Sequence, residues 1–176
     1  MIASSSNKAS ATPAVSAPPA SARGAPPAST VRAARLFLDN QLCFALYSAS
    51  LAMTRVYRPL LKPLGLTYPQ YVVMLALWEH GELSVGALGR RVSLDSGTLV
   101  PLIRKLSARA LVERHRSAVD DRSVLISVTP AGRKLRERAQ AVHDRVACAA
   151  QCSADRCREL AGELHSLRAA LLGEPA

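Results

Sequence analysis

The sequence predicts a mainly α-helical fold that carries one small β-hairpin. Apolar residues recur at helical spacing through most of the chain after Leu36, and two short helical segments flank the tight break 93–96. A single pair of β-like segments follows them. Two short helices joined by a tight turn are typical of a helix-turn-helix, and the hairpin has the position of a wing. We therefore expect a winged helix-turn-helix domain within a helical dimerisation frame.

The first 33 residues consist largely of Ala, Ser and Pro. Such a segment has no large apolar side chains to offset the entropy cost of ordering, so we expect residues 1–33 to be a disordered tail. Its basic residues are too few to predict a DNA-binding arm. The structured domain is expected to span residues 34–176.

The first helix is expected between Leu36 and Leu61, where the apolar residues follow helical spacing. Asp39 or Asn40 can serve as its N-cap, because a short polar side chain accepts a hydrogen bond from the first turn of a helix. The proline and the glycine of segment 62–66 are expected to end this helix.

The second helix is expected to begin at Thr67 and to stop at Gly81. Thr67 and Gln70 have the spacing of a capping box, in which each side chain accepts a hydrogen bond from the other residue's backbone. Ser84 is expected to cap a short third helix, and the fourth helix follows the break 93–96. The third and fourth helices form the predicted helix-turn-helix.

Two segments, 111–116 and 123–128, are expected to be strands joined by a turn. Thr129 then caps a long helix, and Ser153 caps the last helix, which reaches Leu172. These elements complete the order of helix, helix, helix-turn-helix, hairpin and two helices.

Residues 34–66 and 138–172 contain the first and the last helices. Their apolar surfaces are larger than one small domain can cover, so burial against a second copy is the natural solution. We therefore expect a homodimer in which these helices form the interface and residues 82–130 form a DNA-binding lobe.

The chain is strongly basic, with 23 Lys and Arg against 13 Asp and Glu and a net charge of +10. Residues 84–138 hold twelve of the basic residues and five of the acidic ones. Because this excess falls on the helix-turn-helix and the hairpin, we expect the partner to be a double-stranded DNA operator. Aromatic residues make up only 4% of the chain, which disfavours the stacking surfaces of single-strand binders.

The fourth helix is expected to enter the major groove of DNA. Its buried face would hold Leu99, Ile103 and Leu106, and its opposite face presents polar side chains. The residues expected to contact DNA from this helix are Ser96, Thr98, Arg104 and Lys105. At the tip of the hairpin, Arg122 would reach the minor groove, while Asp120 caps the turn and orients Arg122.

No apolar run is long enough for a transmembrane helix, and the N-terminus lacks the apolar core of a signal peptide. We therefore expect a cytoplasmic protein with no membrane partner. Thiols are normally reduced in that compartment, so the four cysteines are expected to be free thiols, metal ligands or redox sensors rather than structural disulfides.

The chain resembles the MarR (multiple antibiotic resistance regulator) family over about residues 36–172. The resemblance is carried by LSVGALGRRVSLDSGTLVPLIRKL and by DDRSVLISVTPAG. The N-terminal segment LFLDNQLCFALYSASLAMTRVYRPLLKPLGLTYPQYVVML is similar to the branch of organic hydroperoxide resistance regulators, OhrR. This resemblance implies a transcriptional repressor that releases DNA after oxidation.

The OhrR resemblance also implies roles for individual residues. It places the peroxide-sensing cysteine at Cys43 and the tyrosines that hydrogen-bond its thiolate at Tyr57 and Tyr68. Tyr47 matches a further tyrosine one turn beyond the sensor. In the two-cysteine subgroup a C-terminal cysteine forms a disulfide with the oxidised sensor across the dimer, and the spacing matches Cys148.

General chemistry agrees with a sensor at Cys43. A helix N-terminus stabilises anions, so a position about one turn inside the first helix favours the thiolate. Tyr57 is fourteen residues further along the same helix, or roughly 21 Å at the rise of an α-helix. A tyrosine–thiolate contact would therefore have to cross the dimer interface. The apolar neighbours Leu42 and Phe44 suit an organic hydroperoxide better than hydrogen peroxide.

Three alternatives remain open at this point. Cys152 lies four residues from Cys148, shares one helix face with it and can substitute for it; Cys157 has no assigned role, and packing is its default interpretation. A MarR-like repressor relieved by a small phenolic ligand would need no cysteine chemistry. A thiol peroxidase would need an acid or base beside Cys43, and none is evident, so we expect no enzyme. No cofactor is indicated, and no His or acid joins the C-terminal cysteines at the spacing of a metal site.

Overall fold

The computed structural model describes residues 36–116 and 123–173, and it divides the chain into two compact units, 1–45 and 46–176. The predicted tail, residues 1–33, lies outside the described residues. Asp120 and Arg122, the two residues predicted at the tip of the wing, also lie outside them.

In the first unit, a 3-10 turn at Leu38–Asn40 precedes helix α1, which begins at Leu42. The prediction that Asp39 or Asn40 caps this helix is wrong, because both residues belong to the 3-10 turn. The backbone N–H of Gln41 donates to the carbonyl of Leu38 at 3.0 Å, and the extended conformation of Gln41 separates the turn from the helix. The helix therefore starts later than predicted.

The second unit contains the rest of α1 and all other elements. A 3-10 turn at Lys62–Leu64 follows α1, and Gly65 closes it in the left-handed conformation with φ 64°, which confirms the predicted helix end. The helices are α1 (Leu42–Leu61), α2 (Tyr68–His80), α3 (Val85–Val92), α4 (Ser96–Ala108), α5 (Pro130–Ala149) and α6 (Ala154–Leu172). The strands are β1 (Glu82–Ser84), β2 (Val112–Arg116) and β3 (Val124–Val128).

Helices α2, α3, α5 and α6 begin at the N-caps that the sequence predicts. The Thr67 N–H donates to Gln70 Oε1 at 2.9 Å, as a capping box requires. Three hydroxyl oxygens each accept the backbone N–H three residues ahead, at 3.0 to 3.2 Å; they belong to Ser84, Thr129 and Ser153. These local bonds satisfy N–H groups that have no partner within the helix.

The predicted hairpin is part of a three-stranded antiparallel sheet in the order β1-β3-β2. Ile126 of β3 pairs with Leu83 on one side and with Arg114 on the other. The sequence analysis missed β1 because a strand of three residues is too short to show an alternating pattern. The fold is mainly α-helical with a small β wing, as predicted.

The core of the second unit lies between α2, the helix-turn-helix and the sheet. Leu77, Leu88 and Ile126 are fully buried there. Leu99, Ile103 and Leu106 of α4 are buried as predicted, and they fix the face that α4 turns toward solvent. None of the helices within 36–116 and 123–173 has the length and apolar character needed to cross a membrane.

Candidate DNA-binding surface and thiol sites

The turn between α3 and α4 is tight because its backbone makes close contacts. Ser93 ends α3 in the left-handed conformation with φ 55°, and the Leu94 N–H donates to the Gly89 carbonyl at 3.0 Å. A Cβ at Gly89 would lie 2.9 Å from the Leu94 carbonyl oxygen, so a glycine fits here where a larger residue would push the two helices apart.

Asp95 is the N-cap of α4, a role that the sequence analysis did not assign. Its carboxylate accepts from the Thr98 N–H and from the Thr98 hydroxyl, both at 2.9 Å. These hydrogen bonds hold the pKa of Asp95 below its usual value. Thr98 therefore donates its hydroxyl proton within the helix, and its oxygen remains an acceptor.

The four residues predicted to contact DNA from α4 are all exposed: Ser96, Thr98, Arg104 and Lys105. Their exposure follows from the burial of the opposite face of α4. It is not a contact with DNA, so their role in DNA binding stays a prediction. On the wing, β2 presents Arg114 and Arg116 to solvent, next to residues 117–122, which lie outside the described residues. The described surface of the helix-turn-helix and wing is therefore basic.

Other basic residues of the segment 84–138 bind protein groups instead. Arg91 Nη2 lies 2.6 Å from Glu79 Oε1. The other three donate to backbone carbonyls: Arg109 to Leu64 at 3.0 Å and to Gly65, Arg133 to Val128 at 2.8 Å, and Arg138 to Pro63 at 3.0 Å. These arginines support the frame of the domain through their hydrogen bonds, although all four stay exposed.

Tyr57 and Tyr68, the predicted pair of phenols, are in contact. Their ring centroids are 4.8 Å apart, and Tyr71 lies 5.8 Å from Tyr57. Burial and the neighbouring tyrosines raise the pKa of Tyr57 to about 12, and burial raises that of Tyr71 as well. Tyr71 is not among the residues that the sequence predicts for this site. Tyr47 lies in solvent, with 62% of its surface exposed.

Cys43 is the second residue of α1, and its side chain is exposed. The sequence analysis placed it about one turn inside the helix, and the later start of α1 moves it into the first turn. Backbone N–H groups at this end have no partner within the helix, and they favour a negative charge nearby. Cys43 therefore lies nearer the N-terminus of its helix than predicted.

The prediction that Cys148 and Cys152 share one helix face is wrong. Helix α5 ends at Ala149, and Gln151 takes the left-handed conformation with φ 50°, which reverses the chain before Cys152. Cys148 is exposed in the last turn of α5, whereas Cys152 is half-buried in the linker. The neighbouring Cys157 side chain of α6, together with burial, raises the pKa of the Cys152 thiol.

An apolar groove of about 850 Å³ lies between α1 and α6 within the second unit. Leu46 and Met53 line one wall and Leu160 and Leu164 line the other, with Tyr68 at the edge. Leu160 and Leu164 are 42% and 40% exposed, which is unusual for leucines that face a groove of a finished core. The surfaces of the first and the last helices are thus uncovered in a single chain, as predicted.

Comparison with known proteins identifies relatives of the whole helical domain. A family model described as transcriptional regulator SarA/Rot matches residues 55–139. The organic hydroperoxide resistance transcriptional regulator of Bacillus subtilis is 43% identical over 130 residues, which cover 74% of this chain and 88% of that protein. These relatives are regulators of transcription rather than enzymes.

Solved structures of AbfR of Staphylococcus epidermidis share the fold. Reduced AbfR bound to DNA is 31% identical with a TM-score of 0.65, covering 80% of this chain and 99% of AbfR. AbfR in a disulfide-bonded form is 33% identical with a TM-score of 0.56, covering 79% and 98%. With the winged helix-turn-helix and these relatives, the chain belongs to the MarR family of DNA-binding transcriptional regulators, in the branch of the organic hydroperoxide resistance regulators.

Proposed function

We propose that this protein is a homodimeric repressor that binds its operator when reduced and releases it when an organic hydroperoxide oxidises Cys43. The observation that carries the proposal is the position of Cys43, an exposed thiol in the first turn of α1. The family supports it, since the Bacillus subtilis relative is named for organic hydroperoxide resistance. AbfR supports the redox part of the proposal, since one of its structures is reduced and bound to DNA and another is in a disulfide form.

The groove between α1 and α6 supports the dimer. Its apolar leucines would expose a large continuous patch to water in a lone chain, and a second copy removes that cost. Tyr68 lies at the edge of this groove. An element of the partner subunit seated there would therefore come close to the tyrosine pair.

The tyrosines would serve the thiolate as hydrogen-bond donors. Tyr57, whose pKa is raised to about 12, is protonated at neutral pH as any phenol is, and it can donate a hydrogen bond to an anion. Contact with Tyr68 holds the Tyr57 ring in place. We assign this pair to the Cys43 thiolate of the partner subunit, with Tyr47 as a further candidate.

The chemistry has two steps. The Cys43 thiolate attacks the terminal oxygen of the hydroperoxide, the O–O bond breaks, and the sulfur becomes a sulfenic acid while the alkoxide takes a proton and leaves as the alcohol. The Cys148 thiolate of the partner subunit then attacks the sulfur of Cys43, and the hydroxyl leaves as water. The product is a disulfide between the subunits.

Two observations favour Cys148 over Cys152 as the second thiol. Cys148 is exposed at the end of α5. Cys152 is only partly exposed, and its pKa, raised by the neighbouring Cys157, leaves less thiolate at neutral pH for attack on a sulfenic acid.

A disulfide at Cys148 would pull on α5, whose first turn is bonded to the DNA-binding lobe. The Thr129 hydroxyl donates toward the carbonyl of Ala110 at 2.6 Å and that of Leu111 at 3.1 Å, and the Thr129 N–H donates to Leu111 at 3.2 Å. Ala110 and Leu111 directly follow α4. A shift of α5 would thus move α4 and the wing, and the two halves of the dimer would lose their spacing on the operator.

The test is release of operator DNA after one equivalent of cumene hydroperoxide, compared for wild type, Cys43→Ser and Cys148→Ser. We expect Cys43→Ser to stay bound and Cys148→Ser to form no covalent dimer in non-reducing mass spectrometry. Hydrogen peroxide at the same dose is expected to act more weakly. If Cys43→Ser is released like the wild type, the redox proposal fails and a repressor relieved by a small phenolic ligand becomes the better account.

A further inference from the structure

The linker between α5 and α6 brings together two thiols that the proposed sensor does not use. Ser153 is the N-cap of α6, so Cys152 occupies the position before the cap and Cys157 the fourth position of the helix. Side chains at these two positions regularly pack against each other in the hydrophobic staple, which fixes how the chain enters a helix. Here the staple consists of two cysteines.

Hydrogen bonds hold the backbone around this pair in place. The Ser153 hydroxyl accepts the Arg156 N–H at 3.2 Å, and the Cys157 N–H donates to the Ser153 carbonyl at 2.9 Å. On the other side, the Cys152 N–H donates to the Ala147 carbonyl at 3.4 Å. Cys157 is near enough to Cys152 to raise its pKa, and both thiols are only partly covered, so a small molecule can reach them.

We propose that Cys152 and Cys157 form a second redox site that closes a disulfide within one subunit by exchange with a low-molecular-weight disulfide of the glutathione class. This site goes beyond the proposed function, since it needs neither Cys43 nor Cys148. The named oxidant is a disulfide because exchange proceeds through a mixed disulfide, and the staple positions of the two cysteines favour the second, intramolecular step.

The exchange balances as follows. One protein thiol loses its proton and attacks a sulfur of glutathione disulfide, which forms a mixed disulfide and expels one glutathione thiolate. The other protein thiol loses its proton and attacks the protein sulfur of the mixed disulfide, which forms the Cys152–Cys157 bond and expels the second thiolate. The two protons end on the two glutathione molecules, and the protein has lost two electrons.

Closure would have two consequences for the regulator. It would tie the first turn of α6 to the linker that follows α5, and it would remove Cys152 as a substitute for Cys148. The protein would then respond to the thiol–disulfide balance of its surroundings separately from its response to hydroperoxides.

The experiment uses the full-length double variant Cys43→Ser/Cys148→Ser, which retains only the two staple cysteines. It is incubated with glutathione disulfide, its remaining thiols are alkylated, and its mass is measured under non-reducing conditions. We expect the mass of a single chain reduced by two hydrogen atoms, without bound glutathione. Trypsin cleaves after Arg156, so the peptide 157–158 should stay attached to the peptide 146–156 until a reductant is added.

The matched control adds Cys157→Ser to the same protein, and it should keep one glutathione on Cys152. The wild-type chain should give the same linked peptides, which guards against a folding defect of the variants. The proposal is overturned if the double variant carries glutathione on both cysteines, stays reduced, or links two chains. None of these outcomes bears on Cys43, so failure here is distinct from failure of the hydroperoxide sensor.

Discussion

Replacing Gly132 by alanine tests how α5 is joined to the DNA-binding lobe. A Cβ at Gly132 would lie 2.2 Å from the Leu111 carbonyl oxygen and 2.9 Å from Val128 Cγ1, both far inside ordinary contact. The Leu111 carbonyl cannot turn away without losing the hydrogen bonds from Thr129. The Gly132 carbonyl itself accepts the indole N–H of Trp78 at 2.9 Å, so the helix cannot shift freely either.

The magnitude follows from two opposing terms. Alanine in a helix interior is more favourable than glycine by up to about 1 kcal/mol. Overpacking of a tight site costs about 1–3 kcal/mol, and a clash with hydrogen-bonded backbone belongs at the upper end. The net loss for Gly132→Ala is then about 2 kcal/mol, which corresponds to a Tm lower by about 4–8 °C in a chain of this size.

Gly162→Ala is the matched control, because it makes the same chemical change within α6, where a Cβ would meet nothing within 4 Å. It should raise stability by about 1 kcal/mol. Urea unfolding followed by circular dichroism, at one protein concentration for all three proteins, measures both effects. Equal stability changes for the two variants, or a Gly132→Ala protein as stable as wild type, would refute the packing argument. We also expect weaker operator binding for Gly132→Ala alone.

Three further predictions concern single side chains. Trp78→Phe removes the indole hydrogen bond that the Gly132 carbonyl accepts, so unfolding should become easier by about 0.5–1.5 kcal/mol in the same urea assay, whereas no change would mean that the indole bond is dispensable. The pKa of Asp95 is lowered in the folded state, so its ionised carboxylate stabilises the fold at pH values above its pKa in the unfolded chain, about 4. This stabilisation is lost as pH falls through the pKa of the folded state. The urea midpoints of wild type and Asp95→Asn should therefore converge below about pH 4, and a constant gap would contradict the role of the carboxylate. In a spectroscopic titration, the difference between wild type and Tyr57→Phe should show a phenol that ionises near pH 12. The stability that Tyr57 contributes should fall as pH rises above the ordinary tyrosine pKa, about 10. A titration midpoint near that ordinary pKa would argue against burial of Tyr57.

The helix ends of the second unit were predictable from the sequence because their causes are local. Thr67 and Gln70 are three residues apart, and the same short spacing joins Thr129 to Gly132. A cap of this kind depends on chemistry within one turn, so the sequence contains nearly all of the information. The faces of α4 were predictable for a similar reason, since helical periodicity alone separates Leu99 from its exposed neighbours.

The start of α1 and the strand β1 were less predictable. Several polar residues near Asp39 are suitable caps, and the choice between an α-helix and a 3-10 turn there depends on the conformation of Gln41. Strand β1 exists because Leu83 pairs with Ile126, more than forty residues away. Neither cause lies within the few residues that a local pattern examines.

The thiol and tyrosine sites depend on contacts that bring distant residues together. The resemblance to the OhrR branch predicts Tyr57 and Tyr68, but the contact between Tyr71 and Tyr57 is evident only from the fold. A four-residue spacing suggested one helix face for Cys148 and Cys152, and the end of α5 between them separates the two thiols instead. The same chain reversal is what places Cys152 next to Cys157.

Charge shows the same limit most clearly. A count of charged residues over 84–138 predicts a negatively charged partner, because an excess of basic side chains favours DNA whatever their orientation. It cannot distinguish a cation that meets phosphate from one that holds the frame together. Arg109 joins the end of α4 to the turn after α1, and Arg138 joins α5 to the same turn, so each contributes a fixed geometry to the lobe. Arg104 and Lys105 of α4 are exposed and stay the basic residues predicted to contact an operator, whereas Arg109 and Arg138 show that other basic residues of the same segment hold the frame.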